Sequence, residues 1–336
     1  MTTFAVLFLM LVVILIAAEV FTNALEHLGE KLKISEGVTG SLFAAVGTAL
    51  PETMVPLLAI MAGTDNTQVN EEIGVGAILG APLMLSTLSL CLMAAFAMQK
   101  RGLHGHLAPE HSGLIRDLNF FLAAFAFSAL ALYVPHQQTA VRAAIGFTLV
   151  LTYFVYILLT LRASAHLVKE GHGTEAEEPM FLCRIGLPAG NMAIILLQLL
   201  LGLLLLVGGA KGFIHGVGSA SQILGISPLL LSLLIIPIAT ELPEKVNSIL
   251  WIRRHKDTLA FGNITGAMVF QGTLLPAIGI MLTPWEPRQE VLAGVVITFL
   301  AALWLRLMAA RGQLRVWHLG LNGAFYLTYL ILALSA

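Results

Sequence analysis

Charge is scarce in this chain: only 11% of its 336 residues are Asp, Glu, Lys or Arg, against about 25% in an ordinary soluble domain. With 58% apolar residues there is too little polar surface to clothe a protein of this size, which excludes a soluble domain and leaves an integral membrane protein. No basic tract with interleaved aromatics occurs, and the formal net charge is −1, so no nucleic-acid partner is expected. Cysteine is equally sparse. Cys91, inside an apolar run, and Cys183, near a loop end, make neither a disulfide framework nor a metal-ligand spacing, and they read as packing or surface thiols. Cofactor fingerprints are missing too, as are a nucleophile motif and a metal-binding His-Glu pattern, so no cofactor and no enzyme activity are expected. The N-terminus lacks the basic region of a signal peptide, and its apolar run from Phe4 to Ala18 continues into a duplicated unit. It reads as a retained first helix.

What is present is apolar sequence in pieces of about 20 residues, the length that crosses a bilayer as a helix. The pieces fall at 4–29, 37–63, 73–99, 118–135, 141–163, 186–213, 226–252, 258–283, 291–310 and 316–335. The expected fold is an all-α polytopic membrane protein of ten transmembrane helices. They divide into a first five-helix repeat at 1–163, a polar linker at 164–184 and a second five-helix repeat at 185–336. An odd number of spans per repeat makes the halves enter the membrane in opposite orientations, an inverted repeat that places its site at the midplane. Fourteen of the 18 lysines and arginines lie on the linker's side of these spans, only Arg142 and Arg288 lie on the other, and Lys211 and Lys245 fall inside spans. The positive-inside rule then makes the linker cytoplasmic and both termini extracytoplasmic, in a multi-pass cell (inner) membrane protein.

The repeat is visible in the residues. Residues 32–52 align without a gap on 224–244, with identities at Leu32/Leu224, Ile34/Ile226, Ser35/Ser227, Leu42/Leu234, Thr48/Thr240, Leu50/Leu242, Pro51/Pro243 and Glu52/Glu244. Each copy sets a carboxylate directly after a proline within an apolar run, where a charge costs about 2.5–3.5 kcal/mol even on a lenient insertion scale. Proline lacks an N–H, so the carbonyls of Gly47 and Ala239 lose their helical partners. Thr48 and Glu52 are four residues apart and share a helix face, as do Thr240 and Glu244. Carbonyl, hydroxyl and carboxylate oxygens therefore converge in each copy, and such oxygens suit a hard cation. Spans 2 and 7 are expected to be broken helices at the core. A second related pair, Gly76 to Gly80 and Gly262 to Gly266, is expected to bring spans 3 and 8 close against them.

These segments resemble the cation/Ca²⁺ exchanger superfamily, and within it the prokaryotic Na⁺/Ca²⁺ exchanger-like branch. Gly47-Thr48-Ala49-Leu50-Pro51-Glu52 is close to that family's G-T-S-L-P-E, and Ala239-Thr240-Glu241-Leu242-Pro243-Glu244 is its partner. Gly208-Gly209-Ala210-Lys211, Leu224-Gly225-Ile226-Ser227-Pro228 and Phe261-Gly262-Asn263-Ile264-Thr265-Gly266 support the match. The resemblance implies a secondary antiporter that exchanges Ca²⁺, or another divalent cation, for Na⁺ or H⁺ by alternating access. Glu52 and Glu244 would be the central ligands, with Thr48, Thr240, Glu241, the carbonyls of Gly47 and Ala239, and Asn263 or Gln271 completing the oxygen set. The departures concern the counter-ion. Ala49 and Glu241 stand where the family has serine, and Leu85 and Gln271 where it has a further amide or acid. Lys245 adds a positive charge next to Glu244 and is assigned charge balance: either it pairs with Glu241 or Glu244 when no divalent ion is present and is displaced or deprotonated when one enters, or it forms a fixed salt bridge that makes the extra acid tolerable. Partners are thus inorganic cations and the lipid bilayer. The competing readings are a non-transporting or altered-specificity relative and an intramembrane hydrolase using the two glutamates as acid and base.

The other polar residues read more simply. Glu19 and Lys211, equivalent in the two repeats, are long side chains that snorkel to the interface. His104, His106 and His111 read as a solvated loop, and the linker, with Glu170, Glu175, Glu177 and Glu178, is too short for a regulatory domain.

Overall fold

The computed structural model describes residues 2–31, 50–63, 65–168, 179–184, 186, 188 and 191–335. Gly47, Thr48 and linker residues 169–178 lie outside the described residues. Every long element described is helical, as lipid requires of a chain that must satisfy its own backbone. In chain order the helices are α1 (Thr2–Lys31), α2 (Leu50–Ala62), α3 (Thr67–Met84), α4 (Leu90–Arg101), α5 (His111–Ala131), α6 (Thr139–Val168), α7 (Phe181–Arg184), α8 (Met192–Leu224), α9 (Pro228–Thr240), α10 (Leu242–Arg253), α11 (Asp257–Leu282), α12 (Gln289–Ala310) and α13 (Val316–Ser335). A π-helical segment, Leu85–Ser89, joins α3 to α4 within one apolar stretch.

Among the described residues eight helical stretches are long and apolar enough to cross a membrane, and α2 and α9 contribute shorter apolar helices. Several expected boundaries move. The span expected at 118–135 begins at His111 and ends at Ala131, so Arg116 and Asp117 lie inside it. The span expected at 186–213 runs from Met192 to Leu224, and 226–252 is two short helices that meet at Glu241. Phe147 and Phe154, 63% and 58% exposed on α6, show the apolar outer face that suits lipid.

Local sequence explains the helix ends. Glu110 caps α5, its carboxylate accepting from the N–H groups of Ser112 and Gly113 at 2.8 and 2.6 Å. Asn191 caps α8 in the same way at 2.9 Å. Gly225, at φ +68°, ends α8 in the left-handed conformation that a side chain resists. Ser227 then accepts from Leu230 N–H at 3.1 Å, and Pro228 opens α9 where its missing N–H is harmless.

The chain forms two compact units, and each takes segments from both halves of the sequence. The first holds residues 1–70 and 161–225. In it α8 packs along α1, because Gly202, Gly209 and Gly216, seven residues apart, let α1 approach at Phe21, Ile14 and Leu7. Met54 of α2 packs on Ala17, Ala18 and Leu206. Glu19 and Lys211 are exposed, on α1 and α8 respectively.

The second unit holds residues 71–160 and 226–336. A Cβ on Gly76 would collide with Ser232, and one on Gly80 with the Leu233 carbonyl, so these glycines seat α3 directly on α9 as expected of spans 3 and 7. Gly262 and Gly266 differ: among the described residues nothing lies within 4 Å of a Cβ on Gly262, and Gly266 faces only the Tyr156 hydroxyl. His104 and His106 are exposed loop residues, with His106 bridged to Arg315, whereas His111, expected in the same loop, is the exposed first residue of α5. Both cysteines are free, half-buried thiols.

Candidate functional site

Proline sets the site's geometry. Leu50-Pro51-Glu52 opens α2 and Leu242-Pro243-Glu244 opens α10, so each carboxylate stands in the first turn of a helix, one residue after the proline. The sequence places Pro243 inside a longer span. In the structure α9 stops at Thr240, and Glu241 takes a non-helical φ of −89° and ψ of 12° before α10 begins. Pro243 thereby falls where an N–H would have no helical acceptor.

In the second unit the predicted residues gather around this interruption. Thr240 is buried, and its hydroxyl donates to the Ile236 carbonyl at 3.1 Å. Glu241 is wholly buried, with Lys245 Nζ 3.0 Å from its Oε2. Lys245 also donates to the Pro237 carbonyl at 2.8 Å. That carbonyl is one turn back on α9, so the ammonium bridges the two short helices. The Glu244 carboxylate and the Gln271 amide both act on Glu241, and the Gln271 Oε1 is buried without a hydrogen-bond donor. Two carboxylates and an open amide oxygen thus face one region with one cation among them.

Asn263 makes its contacts through its amide nitrogen. Its Nδ2 donates to the Glu244 backbone carbonyl at 3.0 Å and to Ser248 Oγ at 2.9 Å, so the amide nitrogen clamps α11 to α10 beside the candidate ligand. Ser248 went unnoticed in the sequence, although it lies four residues after Glu244, on the same helix face. The Pro237 carbonyl was also missed, because only the backbone trace says which carbonyl a lysine reaches. Ala239 lies in the last turn of α9.

In the first unit Glu52 is 4% exposed at the head of α2. Among the described residues no three His, Cys, Asp or Glu side chains are grouped as metal ligands. A hard cation here would need carbonyl, hydroxyl and amide oxygens beside the carboxylates, which is the mixture that Ca²⁺ accepts in sets of six to eight.

Known proteins carry the same organisation. The family model described as sodium/calcium exchanger protein matches residues 2–162 and 194–335. CaxA of Alkalimonas amylolytica, provisionally named an antiporter, is 26% identical over 282 residues, covering 82% of this chain and 79% of the relative. The inner membrane protein YrbG of Escherichia coli (strain K12) is 22% identical over 283 residues, covering 84% and 80%. Among solved structures, the H⁺/Ca²⁺ exchanger CAX aligns with a TM-score of 0.70 at 18% identity, over 98% of this chain and 81% of that one. The sodium-calcium exchanger NCX_Mj aligns at 0.58 and 19% identity, over 98% and 97%. These neighbours are transporters, and the hydrolase reading falls with them. The shared fold, with a match over both halves, makes this a multi-pass membrane transporter that belongs to the sodium/calcium exchanger protein family.

Proposed function

We propose that the protein is a secondary active antiporter that exchanges Ca²⁺, or a divalent cation of like hardness, for H⁺ by alternating access. The observation that carries the ion assignment is charge. In the second unit Glu241 and Glu244 are buried carboxylates with Lys245 3.0 Å from Glu241, and in the first unit Glu52 is a buried carboxylate, so each unit supplies the anionic oxygen that a hard divalent cation takes as ligand. Glu52 and Glu244 act as the central ligands. Thr48, Thr240, the carbonyls of Gly47 and Ala239, the Gln271 Oε1 and water complete the oxygen set. Asn263 holds the Glu244 backbone and keeps its own oxygen available.

Support for the inverted repeat comes from the two Leu-Pro-Glu motifs, which align at an offset of 192 residues and lie in α2 and α10. In this reading ten helices form two inverted sets of five, the linker is cytoplasmic and both termini are extracytoplasmic, in the inner membrane.

The choice of H⁺ over Na⁺ rests on Lys245. A tethered ammonium already paired with Glu241 stands where a transported Na⁺ would otherwise sit, and like charges in a low-dielectric site repel strongly. The name of the H⁺/Ca²⁺ exchanger CAX favours the same direction; that of the sodium-calcium exchanger NCX_Mj names the alternative. Radioactive Ca²⁺ uptake into proteoliposomes, under an imposed pH gradient without Na⁺ and separately under a Na⁺ gradient, decides the matter. Uptake driven by the pH gradient alone supports the reading; uptake that needs Na⁺ and ignores pH makes the counter-ion Na⁺. Absence of uptake under both leaves a non-transporting relative.

A further inference from the structure

A buried carboxylate outside the candidate ion site has surroundings that fit two protonation states equally well. Asp117 of α5 lines a cavity of 220 Å³ enclosed by α5, α6, the start of α11 and the loop before α5. It is 5% exposed. Glu110 directly precedes the apolar stretch of α5, Thr258 is the second residue of that of α11, and Tyr156 and Thr160 lie in the second half of α6. The cavity therefore opens at one face of the membrane, the face that the orientation proposed above makes cytoplasmic.

Each oxygen of Asp117 meets a hydroxyl. Tyr156 donates to Oδ1 at 3.1 Å. Thr265 reaches Oδ2 at 2.7 Å and the Phe261 carbonyl at 2.9 Å. A hydroxyl has one hydrogen, so Thr265 can serve only one of its two acceptors at a time. With Asp117 ionised, both hydroxyls donate to it. With a proton on Oδ2, the acid donates to Thr265, whose hydrogen turns to the Phe261 carbonyl. The carboxyl and the Thr265 hydroxyl therefore keep a partner in either state, which avoids the usual penalty for changing charge in an interior.

The charges facing Asp117 are few. Arg116 Nε is 3.8 Å away, too far for a hydrogen bond, and Glu110 contributes a second negative charge from the rim. α6 offers Tyr156 and α11 offers Thr265, neither charged, while α12 meets α5 elsewhere, through Arg306 and Asn119. A carboxylate within a membrane span, held by one ion pair at 3.8 Å and two neutral hydroxyls, marks a functional group by default.

We infer that Asp117 is a proton-binding site loaded from the cytoplasmic water through this cavity, and that its occupancy acts on the ion site through α11. Hydronium in the cavity gives its proton to the carboxylate and leaves as water. Thr265, which reorients on protonation, is two residues from Asn263, which holds the Glu244 backbone. The inference rests on the antiporter reading only for its last step.

The test is infrared difference spectroscopy of the purified protein between acid and neutral pH, joined to flux. The parent should show a carboxylic acid C=O band that titrates, Asp117→Asn should lack it, Asp117→Glu should move its frequency, and Thr265→Val should move its midpoint by about one pH unit or more. In proteoliposomes, flux in Asp117→Asn should lose its dependence on pH at the linker's side. A titrating spectrum unchanged in both Asp117→Asn and Thr265→Val overturns the site; a flux dependence that survives in Asp117→Asn overturns its link to transport. If no gradient drives flux in the parent, the antiporter reading fails while the infrared result still judges the proton site.

Discussion

Replacing Lys245 by methionine keeps most of the side-chain length and removes the one buried cation at the junction of α9 and α10. The ammonium lies 3.0 Å from Glu241 and 2.8 Å from the Pro237 carbonyl, with the two side chains 7% and 0% exposed. Water is therefore no substitute partner, and removal of one member of such a pair costs about 3–5 kcal/mol because the other charge is left behind. Thermal unfolding of the purified protein in detergent reads this loss. The double variant Glu241→Gln with Lys245→Met removes both charges together and should recover most of it, since replacing a whole buried pair is often close to neutral. If Lys245→Met is as stable as the parent, or if the double variant is as unstable as the sum of the two single changes, the pair does not hold the junction together.

Three further outcomes follow. Arg142, 3% exposed, donates to the carbonyls of Val134, Ile280, Thr283 and Pro284, closing the end of α11; Arg142→Met should lower stability by about 3 kcal/mol or more, and Arg142→Lys should rescue little because it lacks the planar fork. Asn263→Leu, which strips the Glu244 carbonyl of its donor, should cost about 1–3 kcal/mol and weaken divalent binding measured by competition in flux assays. Glu110 is held below the usual carboxylate range, chiefly by the Ser112 hydroxyl and then by the N–H groups it caps. Its capping contribution should be full above the unfolded carboxylate's pKa and fade as pH falls through the lower folded value, so the stability gap between parent and Glu110→Gln should close at acid pH in unfolding measurements.

The sequence carried the parts of this molecule that depend on short-range rules. Pro243 announced the interruption between α9 and α10, and the Gly76 and Gly80 spacing announced the close approach to α9. The spacing of Glu241 and Lys245 also announced their pair. Long-range contacts were another matter. Asp117 was placed outside the membrane because a hydropathy window sees a carboxylate as a boundary, and its hydroxyl partners lie 39 and 148 residues away. Asn263 shows the same limit: its residue type does not tell that its amide nitrogen meets the Glu244 carbonyl and Ser248, 19 and 15 residues away. Gly262 and Gly266 show that a matching motif need not pack alike, since packing depends on which neighbour arrives.

The central claim is that Glu52 and Glu244 bind the transported divalent ion. Glutamine keeps the shape of glutamate and removes its charge, so radioactive Ca²⁺ uptake by Glu52→Gln and Glu244→Gln in proteoliposomes tests the claim most directly, with purified yield and unfolding temperature confirming that each variant folds. The account predicts that uptake nearly vanishes in both variants while the folded protein persists. Near-parental uptake in either one would contradict it.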